Sequence, residues 1–137
     1  MITQQDLDDM GYNYYSEDKV SPSTMDMVKE FSRVLGQKPS ANLYVRLIEE
    51  EFDEWLDTDV CGEEDLKELA DLVYVIYGYA NACGFDLDEA IRRVHANNLG
   101  RCVQPDGSIL RREDGKIIKN KDYPKVKLDD LVGSNNV

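Results

Sequence analysis

Two acidic signatures follow each other along this chain, Glu50-Glu51-x-x-Glu54 and Glu68-x-x-Asp71. Carboxylates three or four residues apart project from one side of a helix. At about 100° per residue, Leu43, Leu47, Glu51 and Glu54 fall within a sector of roughly 80°. Glu68 and Asp71 share their side of the following segment with Val75 and Tyr79. An acidic run such as Glu49-Glu50-Glu51 is ordinarily a solvated helix face. The second signature argues otherwise, because the stretch from Leu72 to Phe85 holds no charged residue and reads as a core helix. An isolated buried carboxylate is costly, so acids directed into a core call for cations. All-oxygen ligation favours Mg²⁺, Mn²⁺ or Ca²⁺ over zinc.

The elements that must carry these groups can be read from caps and periodicity. Ser21-Pro22 predicts a helix start, with Met25, Val28, Phe31 and Leu35 on one stripe and Gly36 as its stop. Pro39-Ser40 opens a second helix to about Asp57, which bears the first signature. The third runs from near Glu63 to about Ala82 and is apolar on nearly all sides beyond Leu69, so it should be buried. Asp86-Leu-Asp-Glu89 has the form of a capping box for a fourth helix, with Ile91, Val94, His95, Asn98 and Leu99 on one stripe. Beyond Gly100, Asp106-Gly107 and Asp114-Gly115 are turn dipeptides, and Ile109-Leu110 and Ile117-Ile118 predict two short strands of a hairpin. The expected organisation is an N-terminal arm over 1–20, a domain over 21–123 (helices 21–100, basic hairpin 101–123) and a loose tail over 124–137. The fold class is all-α: an antiparallel four-helix bundle with a short C-terminal β-hairpin.

Charge is distributed unevenly over the 137 residues. Residues 1–99 carry 22 acids and 8 bases, whereas residues 100–127 carry 4 acids and 8 bases. The net charge of −12 argues against nucleic acid as a partner. An acidic body followed by a basic segment suits a substrate that is both metal-bound and polyanionic, such as a polyphosphate. Arg101, Arg111, Arg112, Lys116 and Lys119 are the cations available for it. Cys61, Cys83 and Cys102 show no zinc spacing and read as reduced packing residues. There is neither a signal-like N-terminus nor a run of 18 apolar residues, so a soluble, cytoplasmic protein with no membrane partner is expected.

Other uses of inward carboxylates fit poorly. A di-iron or di-manganese oxidase needs two Glu-x-x-His elements, and the only histidine, His95, has no acid three residues before it. No EF-hand loop occurs. What remains is metal-assisted attack of water on a phosphoanhydride.

The string from Arg46 through Glu50, Glu51 and Glu54, followed by Glu64 through Glu68 and Asp71, resembles the EExxE…ExxD pattern of the MazG-like all-α nucleoside triphosphate pyrophosphohydrolases. The segments Arg93-Val-His95-Ala-Asn-Asn98 and Arg112-Glu-Asp-Gly-Lys116 resemble the small single-domain members carried by bacteriophages. The resemblance covers roughly residues 25–120. It implies Mg²⁺-dependent cleavage of a nucleoside triphosphate to the monophosphate and pyrophosphate, with Mn²⁺ able to substitute. It implies Glu51, Glu54, Glu68 and Asp71 as metal ligands, with Glu50 beside them orienting water or acting as general base. His95, Asn98 and Arg101 are implied near the substrate, although Asn97-Asn98-Leu-Gly-Arg101 departs from the more usual Ser-Asn-Met-Ser-Lys. Arg112, Lys116 and Lys119 are the expected phosphate contacts.

Trp55 either stacks a base or belongs to the core. Deoxynucleoside triphosphates, dGTP among them, are the substrates expected of a phage-type enzyme reshaping the nucleotide pool. Relatives assemble as dimers or tetramers, so a homo-oligomer is expected. The competing reading is a metal- or nucleotide-binding regulator that keeps the bundle without turnover.

Overall fold

The computed structural model of the chain describes residues 3–9, 22–36, 38 and 40–133. The four expected helices are present: α2 (Thr24–Leu35), α3 (Ala41–Leu56), α4 (Glu63–Cys83) and α5 (Leu87–Cys102). Before them a short helix, α1 (Gln4–Asp9), lies in the stretch read as a partly ordered N-terminal arm. Residues 10–21, Ser21 among them, lie outside the described residues.

The helix ends follow from side chains that compete for free backbone groups. The cap of α2 is Ser23, two residues beyond the expected Ser21. Its Oγ accepts from Asp26 N at 3.1 Å, and its own N–H donates to Asp26 Oδ2 at 3.2 Å, a complete capping box. Gly36 and Gly84 close α2 and α4 with φ of 62° and 72°, a left-handed geometry that glycine adopts without strain. Ser40 Oγ caps α3 by accepting from Leu43 N. At α5 only half of the expected capping box forms. Asp86 Oδ1 accepts from Glu89 N at 3.1 Å, but the Asp86 N–H goes to Leu131 O and the Glu89 carboxylate turns to Arg92 and Arg93.

Helices α3 and α4 form the most extensive pairing, and α2 packs on α4. Their register is antiparallel. Tyr44 lies against Gly78, where any side chain would collide with its ring; Glu51 meets Glu68 and Asp71; Trp55 meets Asp65. The small core joins Met25 and Val28 of α2 to Tyr77 and Ala80 of α4, with Tyr74 and Leu87 packed against it. Phe31 meets Tyr74 edge to face at 5.6 Å. The burial expected of α4 from Leu69 onward is met in part within one chain: Tyr77, Gly78 and Ala80 are buried, whereas Leu69, Val73 and Ile76 are open. Among the described residues α2 and α3 pack on it most extensively, while α5 reaches it through Leu87 and the Tyr77–Asp88 hydrogen bond.

Beyond α5, which runs two residues past Gly100, the chain makes two tight turns at Asp106-Gly107 and Asp114-Gly115. Each is closed by a single isolated bridge, Val103 to Ile109 and Arg111 to Ile117. The second also has hydrogen bonds from Ile118 N to Leu110 O and from Arg112 N to Lys116 O, both 2.8 Å. No sheet forms among the described residues, and the expected pair of strands shrinks to these minimal closures.

Of the tail expected over 124–137, residues 124–133 are described and are tied to α5 by hydrogen bonds; residues 134–137 lie outside the described residues. Residues 120–133 run back along α5 as a strap. Asn120 N donates to Arg101 O, Asn97 Nδ2 to Pro124 O, Arg93 Nη1 to Lys127 O, and Asp86 N to Leu131 O. Arg93 clamps Asp130 through two bonds of 2.6 and 2.8 Å, and a 3₁₀ turn at Asp129–Leu131 sets that carboxylate. Gly100 is needed where Tyr123 crosses α5, since a Cβ there would meet the phenol. Leu128, Leu131 and Val132 face Phe85, Leu87 and Ala90 around an apolar cleft.

Arg93 holds the Asp130 carboxyl below its ordinary value of 3.8, and Arg92 with Arg93 does the same for Glu89. A carboxyl depressed on folding contributes stability above its ordinary pKa, and that contribution is lost as pH falls through the lowered value. Arg93→Ala should therefore speed proteolysis within 120–133 at neutral pH with only a slight fall in Tm. Wild-type protein should acquire the same protease sensitivity on acidification below the ordinary carboxylate range.

Candidate active site

The seam between α3 and α4 follows the spacing that buries one side of each helix, and acids occupy its middle. On α3 the seam passes through Tyr44, Glu51 and Trp55; on α4 it passes through Asp65, Glu68, Asp71 and Gly78. One carboxylate oxygen from each of Glu51, Glu68 and Asp71 comes within 4.8 Å of the other two. The Glu68 side chain is only 12% exposed. Glu51 Oε2 and Glu68 Oε2 are buried and accept no hydrogen bond. Burial pushes the Glu51 carboxyl up from its ordinary value, and Glu54, Asp71 and Glu68 raise it further by repulsion.

Two buried, unpartnered carboxylate oxygens on facing helices are what a protein normally avoids. A divalent cation would supply the missing partner for both. The donor set is oxygen only and suits Mg²⁺ or Mn²⁺. The residues present therefore fit a metal ion.

Of the residues singled out in the sequence, the fold brings Glu51, Glu68 and Asp71 together and sets Glu54 beside Glu51. Glu50 is exposed on α3, outside that cluster. His95, Asn98 and Arg101 lie on α5, which packs on α2 and on the 3₁₀ turn and makes little contact with α3 or α4. His95 and Asn98 are exposed and Arg101 is half-buried. Arg112 is paired with Asp114 inside its own turn, and Lys116 and Lys119 are exposed. Among the described residues, no hydrogen bond or ion pair joins these three to α3 or α4.

Two site neighbours escaped the sequence reading. Lys67 Nζ lies 2.6 Å from Asp71 Oδ2 and 3.3 Å from Glu68 Oε1, and is thus an ammonium against the acidic cluster. Its signal was a Lys four residues before an Asp on the same helix. Asp65 is the other. Its Oδ1 accepts from Trp55 Nε1 at 2.7 Å, and its Oδ2 accepts from Cys61 N at 2.8 Å. That contact fixes the indole at the end of the seam and holds the α3–α4 loop, where Cys61 adopts a φ of 65°.

Glu51→Gln should raise the Tm in EDTA by a few degrees, because it removes a buried charge that repels its neighbours. The same change should abolish any rise in Tm on adding Mn²⁺. Thermal scans with and without the ion check both.

A family model described as phosphoribosyl-ATP pyrophosphohydrolase matches residues 24–98, more than half of the chain and all of α2, α3 and α4. No curated protein matches. The matched span contains both acidic signatures and the helix pair that joins them, and it stops before the basic segment. The chain belongs to the phosphoribosyl-ATP pyrophosphohydrolase family, within the MazG-like all-α nucleoside triphosphate pyrophosphohydrolases.

Proposed function

We propose that the protein is a Mg²⁺-dependent pyrophosphohydrolase of (deoxy)nucleoside triphosphates, with Mn²⁺ able to replace Mg²⁺. The observation that carries this reading is the pair of orphaned buried oxygens, Glu51 Oε2 and Glu68 Oε2, in a cluster closed by Asp71. Glu51, Glu54, Glu68 and Asp71 would hold the metal, which when bound neutralises phosphate charge and polarises water. Water adds across the anhydride between the α- and β-phosphorus, and the monophosphate and pyrophosphate separate. Glu50, exposed and one residue before Glu51 on α3, would accept the water's proton. Arg112, Lys116 and Lys119 provide positive charge for the rest of the triphosphate, with His95, Asn98 and Arg101 for the remainder of the nucleotide.

The working unit in this reading is a homo-oligomer. Leu66, Leu69, Val73 and Ile76 of α4 and Leu43, Phe52 and Leu56 of α3 are among the open apolar residues. A second copy covering them can also bring its own α5 and basic segment to a cluster that this chain's α5 barely approaches. No helix among the described residues is long and apolar enough to cross a membrane. A cytoplasmic role in adjusting the deoxynucleotide pool, as in a phage-infected cell and with dGTP as a substrate, is what the resemblance to the phage-type enzymes suggests.

The family match favours a second substrate, phosphoribosyl-ATP, which presents the same triphosphate on a larger nucleotide. Pyrophosphate release from eight ribo- and deoxynucleoside triphosphates and from phosphoribosyl-ATP, with Mg²⁺ and with EDTA, separates the readings. The expected result is sustained, EDTA-sensitive release of pyrophosphate from deoxynucleoside triphosphates, dGTP foremost. Release from phosphoribosyl-ATP alone would reassign the substrate, and binding without turnover would point to a regulator.

A further inference from the structure

The cation that the acidic cluster keeps on its own helix has a consequence for metal uptake. Lys67 stands one residue before Glu68 and four before Asp71, so α4 itself delivers its ammonium to both carboxylates, at 3.3 and 2.6 Å. It neutralises only one side of the cluster. The oxygens it reaches are Glu68 Oε1 and Asp71 Oδ2, while Glu68 Oε2 and Glu51 Oε2 stay without a partner. The Lys67 side chain is 61% exposed, so it sits at the mouth of the seam and can swing into water at little cost. A divalent ion bound by Asp71 and Glu68 would face that ammonium at a few ångströms, a repulsion that water screens only in part.

We propose that Lys67 is a resident counter-cation of this site, which a divalent ion must displace from Asp71 in order to bind. The inference rests on the cluster being a metal site. Metal uptake is then an exchange of cations. Without metal, Lys67 relieves the repulsion among Glu51, Glu54, Glu68 and Asp71. With metal, it is released at the site's mouth. Lys67 is a positioning residue that acts through Asp71 and Glu68, setting the affinity and the metal-free stability of the site together. It does so at the cost of weaker metal binding.

Mn²⁺ titration of the full chain, with free Mn²⁺ read by electron paramagnetic resonance, tests this on wild type, Lys67→Gln and Lys67→Arg. Lys125→Gln, on the strap, serves as a control for loss of one positive charge. Lys67→Gln should bind Mn²⁺ about tenfold more tightly and melt at a lower temperature in EDTA. Lys67→Arg, which keeps the charge, should stay near wild type in both, as should Lys125→Gln. An Mn²⁺ affinity in Lys67→Gln that is unchanged, weaker, or matched by Lys125→Gln overturns the proposal while leaving the metal site intact. Folded wild-type protein that takes up no Mn²⁺ overturns the site itself, and the proposal with it.

Discussion

Like charges held on facing helices repel, and the meeting of Glu51 with Glu68 and Asp71 across the α3–α4 seam constrains the rest of this molecule. The seam cannot relax by splaying apart, because it is fastened on both sides of the acids. Tyr44 packs into the space left by Gly78 on one side, and Trp55 donates to Asp65 on the other. Between these fastenings one oxygen of Glu51 and one of Glu68 are buried and lack a donor. Burial of this kind destabilises a fold unless another cation is supplied. The helices thus hold a geometry favourable to a metal ion before one arrives, and preorganisation of this sort gives electrostatic catalysis its advantage.

The rest of the architecture divides between supporting that seam and presenting positive charge. Helix α2 anchors the far end of α4 through Met25, Val28, Tyr77 and Ala80. Helix α5 carries the basic turns and is held by a strap whose polar bonds follow it from Arg101 back to Asp86. The two halves meet less closely than a finished site requires. The apolar surface left open on α3 and α4 has the character of a surface that another chain covers. In the proposed homo-oligomer, a second copy would bury those side chains and bring a basic segment to the acids in one step.

Much of this was legible in the sequence, for identifiable reasons. Helices α3 and α4 carry strong periodic patterns, and paired acids on an apolar stripe break the ordinary rule of solvated charge. The cluster of Glu51, Glu68 and Asp71 follows directly from that break. Other features were hidden because they depend on distant partners. Nothing local marks Asp130 as the clamp of Arg93, or the Asp86 N–H as the donor to Leu131, so residues 124–137 read as a tail. The turn dipeptides at 106–107 and 114–115 were plain, but the pairing they allow ends after one bridge each. Lys67 was overlooked because an exposed lysine near acids on a helix is commonplace. Its weight comes from what Glu68 and Asp71 face across the seam.

The most direct test of the central claim is an anomalous difference map from crystals grown with Mn²⁺. The account requires a manganese peak in the α3–α4 seam, at about 2.2 Å from carboxylate oxygens of Glu51, Glu68 and Asp71. A seam with no such peak, while manganese occupies other acidic groups in the same crystal, would contradict it.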